Sequence, residues 1–121
     1  TLQGIVVKGK QLGRTIDFPT ANLQLSDPHK LIPQNGVYIG WVIFGTSTYK
    51  TMVNIGTRPT VDGSGTLSIE AHILHFDEDI YGKNLEVHLV KKIRDEKKFE
   101  NILSLKAQLE IDRLKASEWI V

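Results

Sequence analysis

Along most of this chain, apolar residues alternate with polar ones at the two-residue period of a β-strand. Residues Gln3 to Lys8 form a short β-branched run, which predicts a first strand leading into Gly9. The segment 9–35 contains several breakers of regular structure, at Gly9, Gly13, Pro19, Pro28 and Pro33. We therefore interpret residues 9–35 as loop-rich.

Further strands are predicted between residues 36 and 93. Residues 36–45 are apolar on both faces, and a strand of this kind is covered on both sides in a folded protein. The other predicted strands run from Thr48 to Ile55, from Leu67 to His75 and from Leu85 to Ile93. Antiparallel strands at this spacing favour a small closed barrel, which leaves no exposed edge.

From Asn101 the apolar residues recur at helical spacing, and the side chain of Asn101 is predicted to cap the first turn. The apolar positions are Ile102, Leu103, Leu105, Leu109, Ile111 and Leu114. The predicted solvent side consists of Lys106, Gln108, Glu110, Asp112 and Lys115. An isolated helix of this length is marginal in water, so we expect it to lie against the barrel. It could equally close one barrel end or form an interaction face.

Composition narrows the chemistry. A length of 121 residues fits one domain, 1–121, and the absence of cysteine excludes disulfides and thiolate metal sites and suits a reducing cytoplasm. A formal net charge of +1 gives no support for binding nucleic acid or an anionic membrane. The longest apolar run is too short to span a bilayer. Because Met52 is the only methionine, we expect the chain to have been trimmed or excised from a longer one.

The segment from Gly9 to Asn22, GKQLGRTIDFPTAN, has residues suited to holding phosphate. Backbone N–H groups in a glycine-containing turn can cradle phosphate, and Lys10 and Arg14 could neutralise its charge. Thr20 and Asn22 offer neutral oxygens of the kind that Mg²⁺ accepts. The same residue types are also ordinary in loops, and no Walker motif occurs in the chain.

Glu70 is a second candidate, since it lies mid-strand on the face opposite its neighbours Ile69 and Ala71. A glutamate in that place could act as a general base toward a hydroxyl, or could simply be solvated. The histidines at positions 72, 75 and 88 show no spacing that fixes a metal-ligand set. The basic residues between Lys91 and Lys98 are interrupted by acidic ones, which indicates a solvated connection.

Several motifs occur in order along the chain. They are Gly13-Arg14 followed by Phe18-Pro19-Thr20-Ala21-Asn22, Gly36-Val37-Tyr38, the run from Asn54 to Thr60, the run from Ser68 to Ile73, the run from Phe76 to Asp79, Tyr81-Gly82, and Ile93-Arg94 with Phe99. Their order and spacing, from about Gly4 to Leu114, resemble the riboflavin kinase family.

This resemblance implies a mainly β fold, a six-stranded antiparallel Greek-key barrel with a C-terminal α-helix. It implies that Glu70 is the catalytic base and that Thr20 and Asn22 hold Mg²⁺ and the terminal phosphates. Nucleotide and phosphate binding is implied for Gly9, Lys10, Gly13, Arg14, Thr20, Asn22, Phe76 and Tyr81. Flavin binding is implied for Arg94, Phe99 and Leu103.

The function implied is transfer of the ATP γ-phosphate to the ribityl 5′-hydroxyl of riboflavin, giving FMN and ADP with Mg²⁺ as cofactor. The expected partners are riboflavin, FMN, ATP and ADP, with no nucleic acid and no membrane, for a cytoplasmic monomer. In the bifunctional bacterial enzyme a nucleotidyltransferase domain precedes the kinase, so we expect no FAD synthesis from these 121 residues. A flavin- or nucleotide-binding regulatory module with little turnover is the alternative.

Two residues of the phosphate segment depart from the family pattern: Asp17 and Gln11 stand where glycine is common. An aspartate can adopt the left-handed backbone that glycine favours, but its carboxylate would repel a triphosphate if it points inward. We predict that Asp17→Gly binds ATP more tightly than the unchanged chain, as measured by calorimetric titration. Equal ATP affinity in the two proteins would contradict this prediction.

Overall fold

A computed structural model describes residues 2–7, 21–26, 32–59, 65–74, 80–96 and 100–118, apart from the side chains of residues 58, 59, 65 and 66. The elements within these ranges are β1 (Leu2–Val7), β2 (Ala21–Leu25), β3 (Gly36–Phe44), β4 (Ser47–Pro59), β5 (Gly65–Ile73), β6 (Asn84–Arg94) and α1 (Ile102–Glu118). Except for β2, each was predicted to within a few residues by the periods of the sequence.

The six strands form a closed antiparallel barrel in the order β1-β2-β5-β4-β3-β6, with β6 paired back onto β1. The predicted fold class is therefore confirmed. The loop-rich segment 9–35 also contains β2, which the pattern did not predict because its five residues were too few to show a period among the flanking breakers. Ala21 and Leu23 of β2 are nonetheless buried in the barrel.

Alternate side chains from all six strands fill the interior of the barrel. The buried members of this interior core include Val6 on β1, Leu23 on β2, Val42 on β3, Ile55 on β4, Ala71 on β5 and Val87 on β6. Full burial of one such aliphatic side chain stabilises a fold by about 1.5–3 kcal/mol. Because the interior holds packed side chains, the residues free to do chemistry face outward.

A second, smaller core lies outside the barrel, between the sheet and α1. Ile39 on β3, Met52 on β4 and Leu74 pack there with Ala116 of the helix. Since Tyr38 and Val42 of β3 face the interior core while Ile39 faces the helix, β3 is covered on both sides, as its two-sided apolar pattern predicted. None of the helices in the described ranges is long and apolar enough to cross a membrane.

Both ends of α1 are capped by side chains. Asn101 Oδ1 accepts a hydrogen bond from the backbone N–H of Ser104 at 2.8 Å, which confirms the predicted N-cap. At the other end, Lys50 Nζ on β4 donates to the carbonyl oxygen of Ser117 at 2.9 Å. A cation there interacts favourably with the negative end of the helix dipole and ties the end of α1 to the barrel.

The predicted division of α1 into an apolar inner side and a polar outer side is wrong at several positions. Leu103 is 79% exposed and Leu114 58% exposed, whereas Asp112, assigned to the solvent side, is completely buried. Leu105, Leu109, Asp112 and Ala116 form the inner side instead, at helical spacing. The sequence pattern failed here because it treats every aspartate as solvated.

Asp112 is buried because Arg94 neutralises it. Arg94 Nε donates to both carboxylate oxygens at 3.0 and 3.1 Å, and Nη2 donates to Oδ2 at 2.8 Å. Gln108 Nε2 adds a hydrogen bond to Oδ1 at 3.0 Å. This two-pronged pair joins the last residue of β6 to the middle of α1, and its geometry is the favourable one for an arginine and a carboxylate.

We expect Arg94→Met to lower the free energy of unfolding by about 3–5 kcal/mol, because it leaves the Asp112 carboxylate buried without its cation. Urea denaturation measures this loss. The double change Arg94→Met with Asp112→Leu should recover most of the stability, since no charge is then buried. Lys91→Met, at an exposed position on the same strand, is the control. An equal loss in the Lys91 variant would show that the ion pair is not the cause.

On the outer face of β6, His88 Nε2 lies 2.6 Å from Glu86 Oε2, and Gln3 Nε2 donates to Glu86 Oε1 at 2.8 Å. The hydrogen bond from His88, and then that from Gln3, lowers the pKa of Glu86. A carboxyl whose pKa is lowered on folding stabilises the fold above its unfolded pKa, about 4.3, and this contribution is lost as the pH falls through the folded value.

We expect His88→Leu to raise the pKa of Glu86 toward its ordinary value, because the hydrogen bond from His88 lowers that pKa more than the one from Gln3 does. A carbon-13 NMR titration of the Glu86 carboxyl group measures this change. Gln3→Ala should raise the same pKa by a smaller amount. A Glu86 pKa that stays in place in His88→Leu would contradict the assignment of cause.

Candidate active site

A row of paired residues crosses five neighbouring strands of the barrel. Glu70 on β5 pairs with Asn22 on β2 and with Asn54 on β4. Asn54 pairs in turn with Val37 on β3, and Val37 pairs with Arg94 on β6. We call Asn22, Glu70, Asn54, Val37 and Arg94 the cross-strand row. Neighbouring strands are about 4.8 Å apart, so adjacent members lie within reach of one small molecule.

Glu70, Asn22 and Asn54 all face outward, which follows from the two-residue period of a strand. The chain neighbours of Glu70 are Ile69 and Ala71, and both lie in the interior core. Asn22 lies likewise between two interior residues of β2, and Asn54 between two interior residues of β4. The predicted orientation of Glu70, opposite Ile69 and Ala71, is thus confirmed.

The cross-strand row runs beside the core that underlies α1. His72 and Met52, the next outward residues of β5 and β4, are paired with each other and buried. On the other side of the row, Gly56 leaves room for the Glu96 carboxylate, which a Cβ at that position would overlap. Glu70 is half-buried, with the apolar residues that contact α1 on one side of the row and the Glu96 carboxylate on the other.

The two residues paired with Glu70 across the sheet are neutral. Both are asparagines, whose amide groups carry no charge. A half-buried carboxylate on a strand can accept a proton from a hydroxyl bound beside it. The arrangement places on a strand a carboxylate of the kind that a general base requires.

Asn22 fits the role of a ligand for a hard cation. Its amide oxygen is a neutral hard donor, and it stands directly across from the Glu70 carboxylate. Mg²⁺ is commonly held by one or two protein oxygens together with waters and substrate phosphates. Within the described ranges, no cluster of three or more histidine, aspartate or glutamate side chains has the geometry of a metal centre.

Three other predicted site residues lie within the described ranges. Tyr81 is half-buried and packs against the interior core, beside Gly82, whose N–H donates to Val6 O at 2.8 Å. Arg94 belongs to the cross-strand row, but its guanidinium group is bound by Asp112. Leu103 is exposed in the first turn of α1.

The remaining predicted residues lie outside the described residues, so the structure does not place them. They are Gly9, Lys10, Gly13, Arg14, Thr20, Phe76 and Phe99, and with them Gln11, Asp17 and His75. Thr20 is two residues before Asn22 in the chain.

The sequence reasoning gave no site role to two residues that the structure makes prominent. Asn54 was noted only as part of a motif, although a polar residue between the apolar Val53 and Ile55 signals an outward position on β4. Asp112 was assigned to solvent. Neither pairing, Asn54 with Glu70 or Asp112 with Arg94, can be read from the sequence, because each depends on the register of packed elements.

A family model for riboflavin kinase (flavokinase) matches residues 1–120. The chain is 44% identical to the bifunctional riboflavin kinase/FMN adenylyltransferase of Escherichia coli strain K12, over 98% of this chain and 37% of that protein. It thus spans little more than a third of the length of that curated relative.

Two solved structures share the fold. A riboflavin kinase from Trypanosoma brucei superposes with a TM-score of 0.66 at 26% identity, covering 97% of this chain and 74% of that one. A Streptococcus pneumoniae structure described as a macrolide-efflux protein superposes with a TM-score of 0.91 at 37% identity, covering 98% of this chain and 38% of that one.

The family model covers nearly the whole chain, the relatives at this level of identity are kinases of riboflavin, and the barrel presents an outward glutamate beside an asparagine. The chain belongs to the riboflavin kinase family.

Proposed function

We propose that this chain transfers the γ-phosphoryl group of ATP to the 5′-hydroxyl of the ribityl chain of riboflavin, giving FMN and ADP. Family membership supports flavin phosphorylation, and the pairing of Glu70 with Asn22 is the observation that carries the proposal for this site. Phosphoryl transfer asks a protein mainly for alignment and for stabilisation of charge. A strand-borne base beside a cation-binding amide meets both needs.

Glu70 acts as the general base. Its carboxylate accepts the proton of the 5′-hydroxyl while that oxygen forms a bond to the γ-phosphorus. The bond between the γ-phosphorus and the bridging oxygen breaks, and ADP leaves with the electron pair. A positioned base of this kind contributes about 10²- to 10⁴-fold to the rate.

Asn22 and Thr20 are proposed to hold Mg²⁺ together with the terminal phosphates. When bound, the ion neutralises phosphate charge, which weakens the repulsion between the triphosphate and the attacking oxygen. Asn22 is the second residue of β2. The pairing of β2 with β5 therefore fixes the position of the Asn22 backbone beside Glu70.

The other assignments stay proposals for the same reaction. Gly9, Lys10, Gly13 and Arg14 would cover the phosphates, and Phe76 and Tyr81 would border the adenosine. Arg94, Phe99 and Leu103 would border the flavin. For Arg94 the support is its place in the cross-strand row, where it also anchors α1 through Asp112. We propose the cytoplasm as the place of reaction, which the cysteine-free sequence suits.

We expect the 121-residue chain to form FMN from riboflavin, ATP and Mg²⁺, and Glu70→Gln to lower the turnover number at least about 100-fold, because the amide cannot accept the proton. Chromatography of the flavin products measures this and would also reveal any FAD. Glu86→Gln, an outward glutamate on β6, is the matched control and should keep near-normal turnover.

Turnover without loss in Glu70→Gln would keep the kinase and remove Glu70 from the role of base. A folded chain that binds flavin but yields no FMN would contradict the proposed reaction and favour the regulatory alternative. In that case Asp17→Gly would show whether restoring glycine restores turnover.

A further inference from the structure

One buried oxygen beside the proposed base has no partner. Among the residues that the structure describes, the buried side-chain atom left without a hydrogen bond is Asn54 Oδ1. Buried polar atoms are nearly always paired, because an unpaired one loses its bonds to water and gains nothing in return. A buried acceptor in this condition at a functional site indicates that a donor arrives with a ligand.

The strand neighbours of Asn54 do not supply this donor. Glu70, on one side, is an acceptor alone when it is ionised, as a general base must be. Val37, on the other side, has no polar atom in its side chain. The chemistry of the missing partner is therefore that of a neutral hydroxyl or N–H group brought by the substrate.

The order of the cross-strand row indicates which part of the substrate lies there. In phosphoryl transfer the leaving and attacking oxygens are roughly in line through phosphorus. With the phosphates on the Asn22 side of Glu70, the body of the acceptor extends from the attacking oxygen to the opposite side. Asn54 is the residue on that side, one strand spacing of about 4.8 Å beyond Glu70.

We propose that Asn54 is a substrate-binding residue whose Oδ1 accepts a hydrogen bond from the hydroxyl next to the one that is phosphorylated, the 4′-hydroxyl of the ribityl chain. This inference rests on the proposed function. It goes beyond it by making the cross-strand row selective: the acceptor must carry a second hydroxyl adjacent to its reacting one.

The physical basis of this selectivity is the burial of Oδ1. A site that is built to bond a substrate hydroxyl rejects an analogue without it, because the buried acceptor is then left unpaired. One such hydrogen bond corresponds to about a 10- to 100-fold difference in affinity. A flavin without the 2′-hydroxyl, which is farther from the reacting end, should lose nothing through Asn54.

The experiment measures dissociation constants by quenching of flavin fluorescence, for riboflavin, 4′-deoxyriboflavin and 2′-deoxyriboflavin. We expect the unchanged chain to bind the 4′-deoxy compound about 10- to 100-fold more weakly than riboflavin. In Asn54→Leu this difference should fall to about 2-fold or less, while any 2′-deoxy penalty stays as it was. Asn84→Leu, an exposed asparagine on β6, is the matched control and should keep the full 4′ preference.

A second variant and a stability measurement guard against a misfolded test protein. Asn54→Asp keeps an acceptor oxygen of the same shape, so it should keep the preference for riboflavin over the 4′-deoxy compound. Asn54→Leu replaces the amide with an apolar group of similar size, so a cooperative urea transition with a midpoint near that of the unchanged chain shows that this test protein is folded.

A 4′ preference that survives in Asn54→Leu, or that is missing from the unchanged chain, would overturn the inference. Because binding is measured without ATP, its result does not depend on turnover. Loss of the preference in Asn54→Leu with no FMN formed by the unchanged chain would reject the proposed reaction while supporting the role of Asn54 in binding.

Discussion

The double pairing of β5, with β2 on one side and β4 on the other, is the constraint on which the candidate site depends. It sets Asn22 and Asn54 on either side of Glu70. A slip of one residue would turn Glu70 into the interior core and bring Ile69 or Ala71, 3% and 1% exposed, out to water. Burying a carboxylate among aliphatic side chains is far costlier than the pairing energy of one residue, so the register is firmly fixed.

The packed interior of the barrel decides where chemistry can take place. Side chains from all six strands fill that space, so the proposed site lies outside it, on the face that the sheet shares with α1. Ile39, Met52 and Leu74 on this face pack against α1. The cross-strand row lies next to these apolar residues. Since strands are more rigid than loops, Glu70 and its strand neighbours Asn22 and Asn54 are held in fixed relative positions.

The Arg94–Asp112 pair connects the row to the helix. Arg94 is the last member of the row, and Asp112 is completely buried in α1. The pair therefore fixes the position of α1 relative to the end of the row. Removal of either partner leaves the other charge buried without compensation, so a single substitution at this pair lowers the free energy of unfolding strongly. The same residue that resemblance assigns to flavin binding thus also has a structural role, because it holds α1 against the end of β6.

By itself, the sequence determined the strand periods, the capped helix and the family, because alternation, capping and short motifs are local properties of the chain. For the same reason, the sequence predicted that Glu70 faces outward and that Asn22 offers a neutral oxygen suited to a metal ion. It missed the five-residue strand β2 and the burial of Asp112, and it gave Asn54 no role. Only the tertiary structure decided these three features, because the role of a polar residue depends on the residue that lies opposite it. Arg94 allows Asp112 to be buried, and the pairing with Glu70 places Asn54 in the candidate site.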